Sequence, residues 1–188
     1  MKKTAILSLA MIVSSAAIFF SSCSKSSDTT ATVTVQATLY DSLGGTAMVT
    51  DPANTSVKIE TGRLGIRSVV DSTIFVIAAD PKLNGFFKVL LAEVTAGNTS
   101  GFAALSKTLT DFFCVATGAK NFTYSGKSMA AAHDPAQNSR MFAKAASADF
   151  DQFITDLVAG ATKNKLPANL ITSVGIVVNT QRSIVVQK

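Results

Sequence analysis

Apolar residues in this chain recur at every third or fourth position far more often than at every second one, a spacing that predicts helices. Phe102, Leu105, Leu109, Phe112, Phe113 and the pair Val115-Ala116 fall on one helical face. A second face comprises Phe150, Phe153, Ile154, Leu157 and Val158. It is introduced by Ser147-Ala148-Asp149, where Ser147 or Asp149 can cap the first turn, and Gly160 lies near its end. A third runs from Pro167, well placed for a first helical turn, through Leu170, Ile171, Val174, Val177 and Val178 toward Ile184. The stretch Leu64 to Ala79 is also read as helix, although Val69, Val70, Ile74, Val76 and Ile77 make it the element most easily mistaken for a strand. Between these, Asp51 to Gly62 and Gly97 to Gly101 carry Pro, Asn, Gly and Thr and read as loops. No internal repeat is present.

The amino-terminal region follows a different pattern. Lys2 and Lys3 precede an apolar run from Ala5 to Phe20, and Ser21-Ser22 then meets Cys23. Ser8, Ser14 and Ser15 interrupt the run, which is shorter than the ~20 apolar residues of a spanning helix, so residues 1–22 read as a cleaved signal peptide. Phe20-Ser21-Ser22-Cys23 resembles a lipobox, with Phe20 where Leu is usual, which implies lipid on the Cys23 thiol and an exported, membrane-anchored lipoprotein facing the periplasm or cell surface. The alternative is a plain secretory leader with an incidental cysteine. From Ser24 to about Ala37 the residues are Ser, Thr, Ala and Val with little bulk, so residues 23–38 read as a flexible tether. Residues 39–188 then form one domain, long enough for a buried core and too short for two.

Charge and cysteine content narrow the function. With the leader removed, basic residues fall from 17 to 15 against 12 acids, a net charge of only about +3, and no Lys/Arg cluster appears, so nucleic acid is not an expected partner. If Cys23 carries lipid, Cys114 has no partner for an intrachain disulfide. Its place after Phe112-Phe113 predicts a small buried residue and not a nucleophile. The single histidine, His133, excludes multi-histidine metal sites, and with no Cys-x-x-Cys pair, zinc, iron–sulfur and c-type haem attachment are also excluded. There is no Gly-x-Ser-x-Gly elbow, phosphate-binding loop or dinucleotide fingerprint, and Gly44-Gly45 alone does not make a phosphate site. A hydrolase using His133 is compatible with the composition, but nothing marks its serine.

His133 closes the segment Tyr124-Ser125-Gly126-Lys127-Ser128-Met129-Ala130-Ala131-Ala132-His133. This resembles the Tyr-x-Gly-x-x-Met-x-x-x-His stretch of the truncated haemoglobins of the first group, in which the histidine is the proximal ligand of haem iron. Leu39-Tyr40-Asp41-Ser42-Leu43-Gly44-Gly45 resembles the family's opening segment. Val69-Val70-Asp71 to Ala79-Asp80-Pro81-Lys82-Leu83, followed by Phe86-Phe87, is similar to its second helix and the turn presenting a haem-stacking phenylalanine, here Phe87. Phe112-Phe113, Ala148-Asp149-Phe150-Asp151 and Pro167 to Val178 resemble the end of the distal helix and the last two helices. The resemblance spans nearly the whole chain after Leu39. It implies an all-α, two-over-two helical sandwich that holds one noncovalent haem b through His133. Met129, one turn earlier on the same face, would pack against the ring.

The departures from the family bear on reactivity. Ungapped counting puts Ile74 where many members carry a distal tyrosine, and Leu105 and Leu109 at the ligand-facing positions of the distal helix, so the expected pocket of Phe87, Met129, Ile74, Leu105 and Leu109 is apolar on its distal side. The stretches Thr46 to Gly65 and Asp134 to Ser147 are longer than the family pattern, and Asp134-Pro135 should end the proximal helix abruptly. These inserts could cover the haem edge, supply a sixth ligand or dock a partner. The resemblance implies binding, sensing or detoxifying of a diatomic gas (O2, NO or CO), with an unassigned redox partner. A globin-shaped envelope interaction or haem-handling lipoprotein without gas chemistry is the competing expectation. A peroxidase-like enzyme ranks low because no distal histidine or arginine is placed to assist O–O cleavage.

Overall fold

The computed structural model of the chain describes residues 36–188, so the signal peptide, Cys23 and most of the tether lie outside the described residues. The domain opens with a short helix, α1 (Leu39–Ser42), followed by strands β1 (Met48–Asp51) and β2 (Asn54–Glu60) and the long helix α2 (Thr61–Ala79). A 3₁₀ turn (Asn84–Phe87) leads into α3 (Lys88–Thr95), α4 (Ser100–Ala116) and the five-residue α5 (Met129–His133). The chain ends with α6 (Ser147–Lys163), α7 (Ala168–Asn179) and α8 (Arg182–Val185). Among the described residues no helix is long and apolar enough to cross a membrane.

The entry into the domain is fixed by Thr38, whose hydroxyl accepts from the Asp41 amide while the Asp41 carboxylate accepts from the Thr38 amide, a reciprocal cap on α1. Gly44 and Gly45 then turn the chain at φ 127° and 61°, values open to glycine, and bring it onto the start of α2. There the Gly62 amide donates to the Gly45 carbonyl at 2.9 Å, and a Cβ on Gly62 would stand 2.8 Å from the Tyr40 ring.

Two sequence expectations are corrected here. Residues 51–62 are not a loop. β1 and β2 form an antiparallel hairpin with Met48 opposite Glu60, Val49 opposite Ile59 and Thr50 opposite Lys58, and the register shifts between Thr50 and Asp51. The alternation of Thr55, Val57 and Ile59 is a strand signal that the surrounding Pro, Asn and Gly masked. Asp51 ties the hairpin to α2 by accepting two hydrogen bonds from the Arg67 guanidinium, at 2.6 and 2.8 Å; this bond and one from the Ala53 amide take its carboxyl down to about 2. The last predicted helix is also divided: α7 stops at Asn179 and α8 resumes at Arg182, because the Arg182 side chain is drawn down to Asp151 and Ser147 of α6.

Helix α2 packs between α4 and α6, and α6 packs on α7, which gives the expected two-over-two sandwich. Ile66, Val70, Ile74 and Leu90 meet Phe113, Phe150, Leu157, Val174 and Val178 in one core. Gly160 lies in the last turn of α6, near its end as the sequence predicts, against the backbone of Thr73, where it lets α6 cross α2 closely. Cys114 is fully enclosed, and burial pushes its thiol up to about 11 despite the Arg63 guanidinium 3.8 Å from its sulfur. A polar seam runs beside it. Tyr40 donates to Glu60 at 2.8 Å, Asn121 donates to the same carboxylate at 2.7 Å, and Arg63 and Lys107 each reach Asp111 at 2.6 Å. Burial works against the Asp111 charge, but the bonds from Lys107 and Arg63 outweigh it and keep the group ionised.

One buried acid is not compensated in this way. Asp156 on α6 is 4% exposed, and its second oxygen has no hydrogen-bond donor; the same holds for one oxygen of Asp80, at the end of α2. Lys82 bridges them by donating its amide to Asp80 and its ammonium to Gln152, which donates to Asp156. Desolvation, assisted by the Asp80 charge, raises the Asp156 pKa above 3.8. A raised folded-state value means that protonation favours the fold, so this contribution is present at low pH and is lost as pH climbs through the raised value. Asp156→Asn should therefore melt several degrees above the unaltered protein at pH 7, and the gap should shrink toward pH 4; thermal unfolding followed across that range measures it.

Candidate functional site

Helix α5 is short and held at both ends. Ser128 starts it, its hydroxyl accepting from the Ala131 amide at 3.2 Å, and the extended backbone of Asp134 (ψ 114°) before Pro135 stops it, as the sequence predicts. Two distant side chains bind its carbonyls: Asn138 donates to Ala132 at 2.7 Å and Gln187 donates to Ala130 at 2.9 Å.

His133 ends this helix and is half-buried. Its Nδ1 lies 2.8 Å from the Met129 carbonyl oxygen. A carbonyl can only accept, so the proton sits on Nδ1, and Nε2 keeps its lone pair free for a metal. Among the described residues there is no group of three or more His, Cys, Asp and Glu that could hold a metal ion. Iron at this imidazole would therefore have to bring most of its ligands with it.

The approach to α5 is built by contacts with α4. Tyr124 packs edge-on against Phe112, with ring centroids 5.8 Å apart, and donates its hydroxyl to the Lys127 carbonyl at 2.6 Å. A Cβ at Gly126 would fall 2.5 Å from the Tyr124 oxygen and 2.8 Å from Thr108 Cγ2, so the Tyr-x-Gly spacing is required by the passage of this loop across α4. The loop thus runs along the side of α4 that carries Thr108 and Phe112, and α5 follows from it.

The predicted lining residues are distributed over four elements. Leu105 and Leu109 sit one turn apart on α4, and with Phe102 and Phe112 they form a stripe that is only half-buried against the core. Phe86 and Phe87 on the 3₁₀ turn are likewise half-buried, as is Met129 on α5. Ile74 differs, being 7% exposed within the core of α2. Large aromatic and aliphatic side chains are thus left half-covered on the 3₁₀ turn, α4 and α5. Donor set and surface together fit haem, which needs one neutral imidazole from the protein and otherwise burial. Phe86, Phe102 and Phe112 were not singled out as lining residues from the sequence, though two of them lie on the helical face read there. Nothing in the pattern signalled Asn138 or Gln187, whose partners lie 6 and 57 residues away. A separate cavity of about 230 Å³, lined by Leu43, Ile66, Val69, Phe113, Leu157 and Val174, lies between α2, α4, α6 and α7 and does not include His133.

Similarity to known structures identifies the fold. Two ferric-form variants of the truncated haemoglobin of Tetrahymena pyriformis match over 81% of this chain and 100% of theirs, with a TM-score of 0.56 and 20% identity. The 2/2 haemoglobin of Synechococcus sp. PCC 7002, in the cyanomet state with covalently attached haem, matches over the same shares with a TM-score of 0.55 and 21% identity. The fold is that of the truncated haemoglobins. No protein-family model matches the chain, and no curated protein does. At this level of identity the likeness to truncated haemoglobins establishes the architecture, and the chemistry has to be argued from the side chains of this chain.

Proposed function

We propose that this chain is a haem-binding globin of the bacterial envelope, holding one noncovalent haem b through His133 and binding a diatomic gas at the iron. The observation that carries this reading is the 2.8 Å contact between His133 Nδ1 and the Met129 carbonyl: in the neutral imidazole the carbonyl accepts from Nδ1–H, which leaves the lone pair on Nε2. The half-buried Phe87, Met129, Leu105 and Leu109 offer apolar surface suited to the macrocycle. Bound haem would supply an iron with one coordination position open to O2, NO or CO. Noncovalent binding is supported by the chain's single histidine, His133, by the full enclosure of Cys114 and by the reading of Cys23 as the lipid site.

Ile74, Leu105 and Leu109 have no hydrogen-bond donor to offer a gas with partial negative charge. Such a bond has a net value of about 1 kcal/mol, so its absence corresponds to roughly fivefold weaker retention of oxygen. Anchoring through lipid on Cys23 rests on the sequence of residues 1–23.

Three outcomes test these claims. Residues 24–188 with added haem should give a sharp Soret band that His133→Ala loses; no uptake by the unaltered protein would leave a globin-shaped envelope protein without gas chemistry. Oxygen should leave the ferrous protein quickly in stopped-flow, whereas slow release would contradict an apolar distal side. The full chain expressed in bacteria should incorporate labelled palmitate, and Cys23→Ser should not; equal labelling of both would exclude Cys23 as the lipid site.

A further inference from the structure

The residues after His133 do not wander. They cross to the opposite elements of the domain and are fastened there. Asp134 first folds the chain over, its carboxylate accepting from the Ala136 amide and the Gln137 side chain, and Asn138 reaches back to the Ala132 carbonyl. Arg140 then makes a two-pronged ion pair with Glu93 of α3, at 2.8 and 2.5 Å, and this pair holds the Glu93 carboxyl below the usual carboxylate range. The pair occupies the space that a side chain at Gly101, in the first turn of α4, would need. Two residues on, the Phe142 amide donates to the Phe86 carbonyl at 3.3 Å, and the Lys88 ammonium sits 4.0 Å from the centre of the Phe142 ring. Phe142 nonetheless remains 61% exposed, and burial holds only the far end of the segment, where Ala145 is 6% exposed and bridges Val186. Elsewhere polar contacts provide the attachment.

We propose that residues 134–146 form a latched strap beside the haem site, with the Arg140–Glu93 pair as its catch, so that opening of the strap sets the rate at which haem is exchanged. The proposal rests on the reading that His133 holds haem. Its geometric basis is the strap's path, which starts at the residue after the ligand and ends on the 3₁₀ turn that carries Phe86 and Phe87, on α3 and on the start of α4. An ion pair whose arginine is 46% exposed is weakened by salt, so the catch is sensitive to ionic strength. Such a segment would hold haem in dilute surroundings and release it more readily as salt rises.

The test uses protein loaded with haem and an excess of a haem-free globin as scavenger, with loss followed by absorbance at low and high salt. Arg140→Ala removes one half of the catch. Gly101→Ala evicts the pair by bulk, without altering charge, at a helical position where alanine is favoured. Both should lose haem about two- to fivefold faster than the unaltered protein at low salt, and both should lose most of the salt dependence. Hydrogen exchange of the Phe142 amide, read in the haem-free protein, should quicken in both variants. Equal haem loss in all three proteins would overturn the strap while leaving the haem site intact, and so would unchanged exchange at Phe142. No haem uptake by the unaltered protein would remove the haem reading itself, and the proposal with it.

Discussion

Helix α2 has to satisfy two neighbours at once, and everything else in the domain is arranged around that demand. Its buried residues Ile66, Val70, Ile74 and Ile77 recur every three to four positions, while Thr73 turns toward α6 and Asp71 accepts from Ser106 of α4. A helix enclosed on two sides tolerates β-branched residues, because packing and not intrinsic propensity determines its conformation. The same double packing fixes where α4 runs, and α4 fixes the loop that delivers α5 and His133.

Structure was legible where local chemistry dictates local form. Residues 124–133 were read through their resemblance to the Tyr-x-Gly-x-x-Met-x-x-x-His motif, and each position there answers to a near neighbour: Gly126 to Tyr124, Ser128 to Ala131 and His133 to Met129. The helices were legible for the same reason, since periodicity reports one face per element. The hairpin was not. Its strand alternation is only seven residues long in β2 and exposed along most of that length, so neither length nor burial pattern separated it from a polar loop. The division of α7 from α8 depends on Arg182 reaching a helix more than thirty residues earlier, and the catch between Arg140 and Glu93 spans 47 residues. Interactions over such distances leave no periodic trace in a sequence.

Charge in this domain is placed so that different acids meet different conditions. Asp51 and Asp111 are each met by an arginine and stay ionised, whereas Asp156 meets another carboxyl and a glutamine. The first two bind elements together across neutral pH. The third lies between α6 and the end of α2, just before the turn that carries Phe86 and Phe87, where burial disfavours its charged form.

The hydrogen bond from Gln187 to Ala130 makes the penultimate residue of the chain part of the histidine helix. The chain's terminus is therefore no spare end for attaching a purification tag, a fluorescent reporter or a fused domain. Cargo joined after Lys188 would be carried within one residue of the side chain that steadies α5.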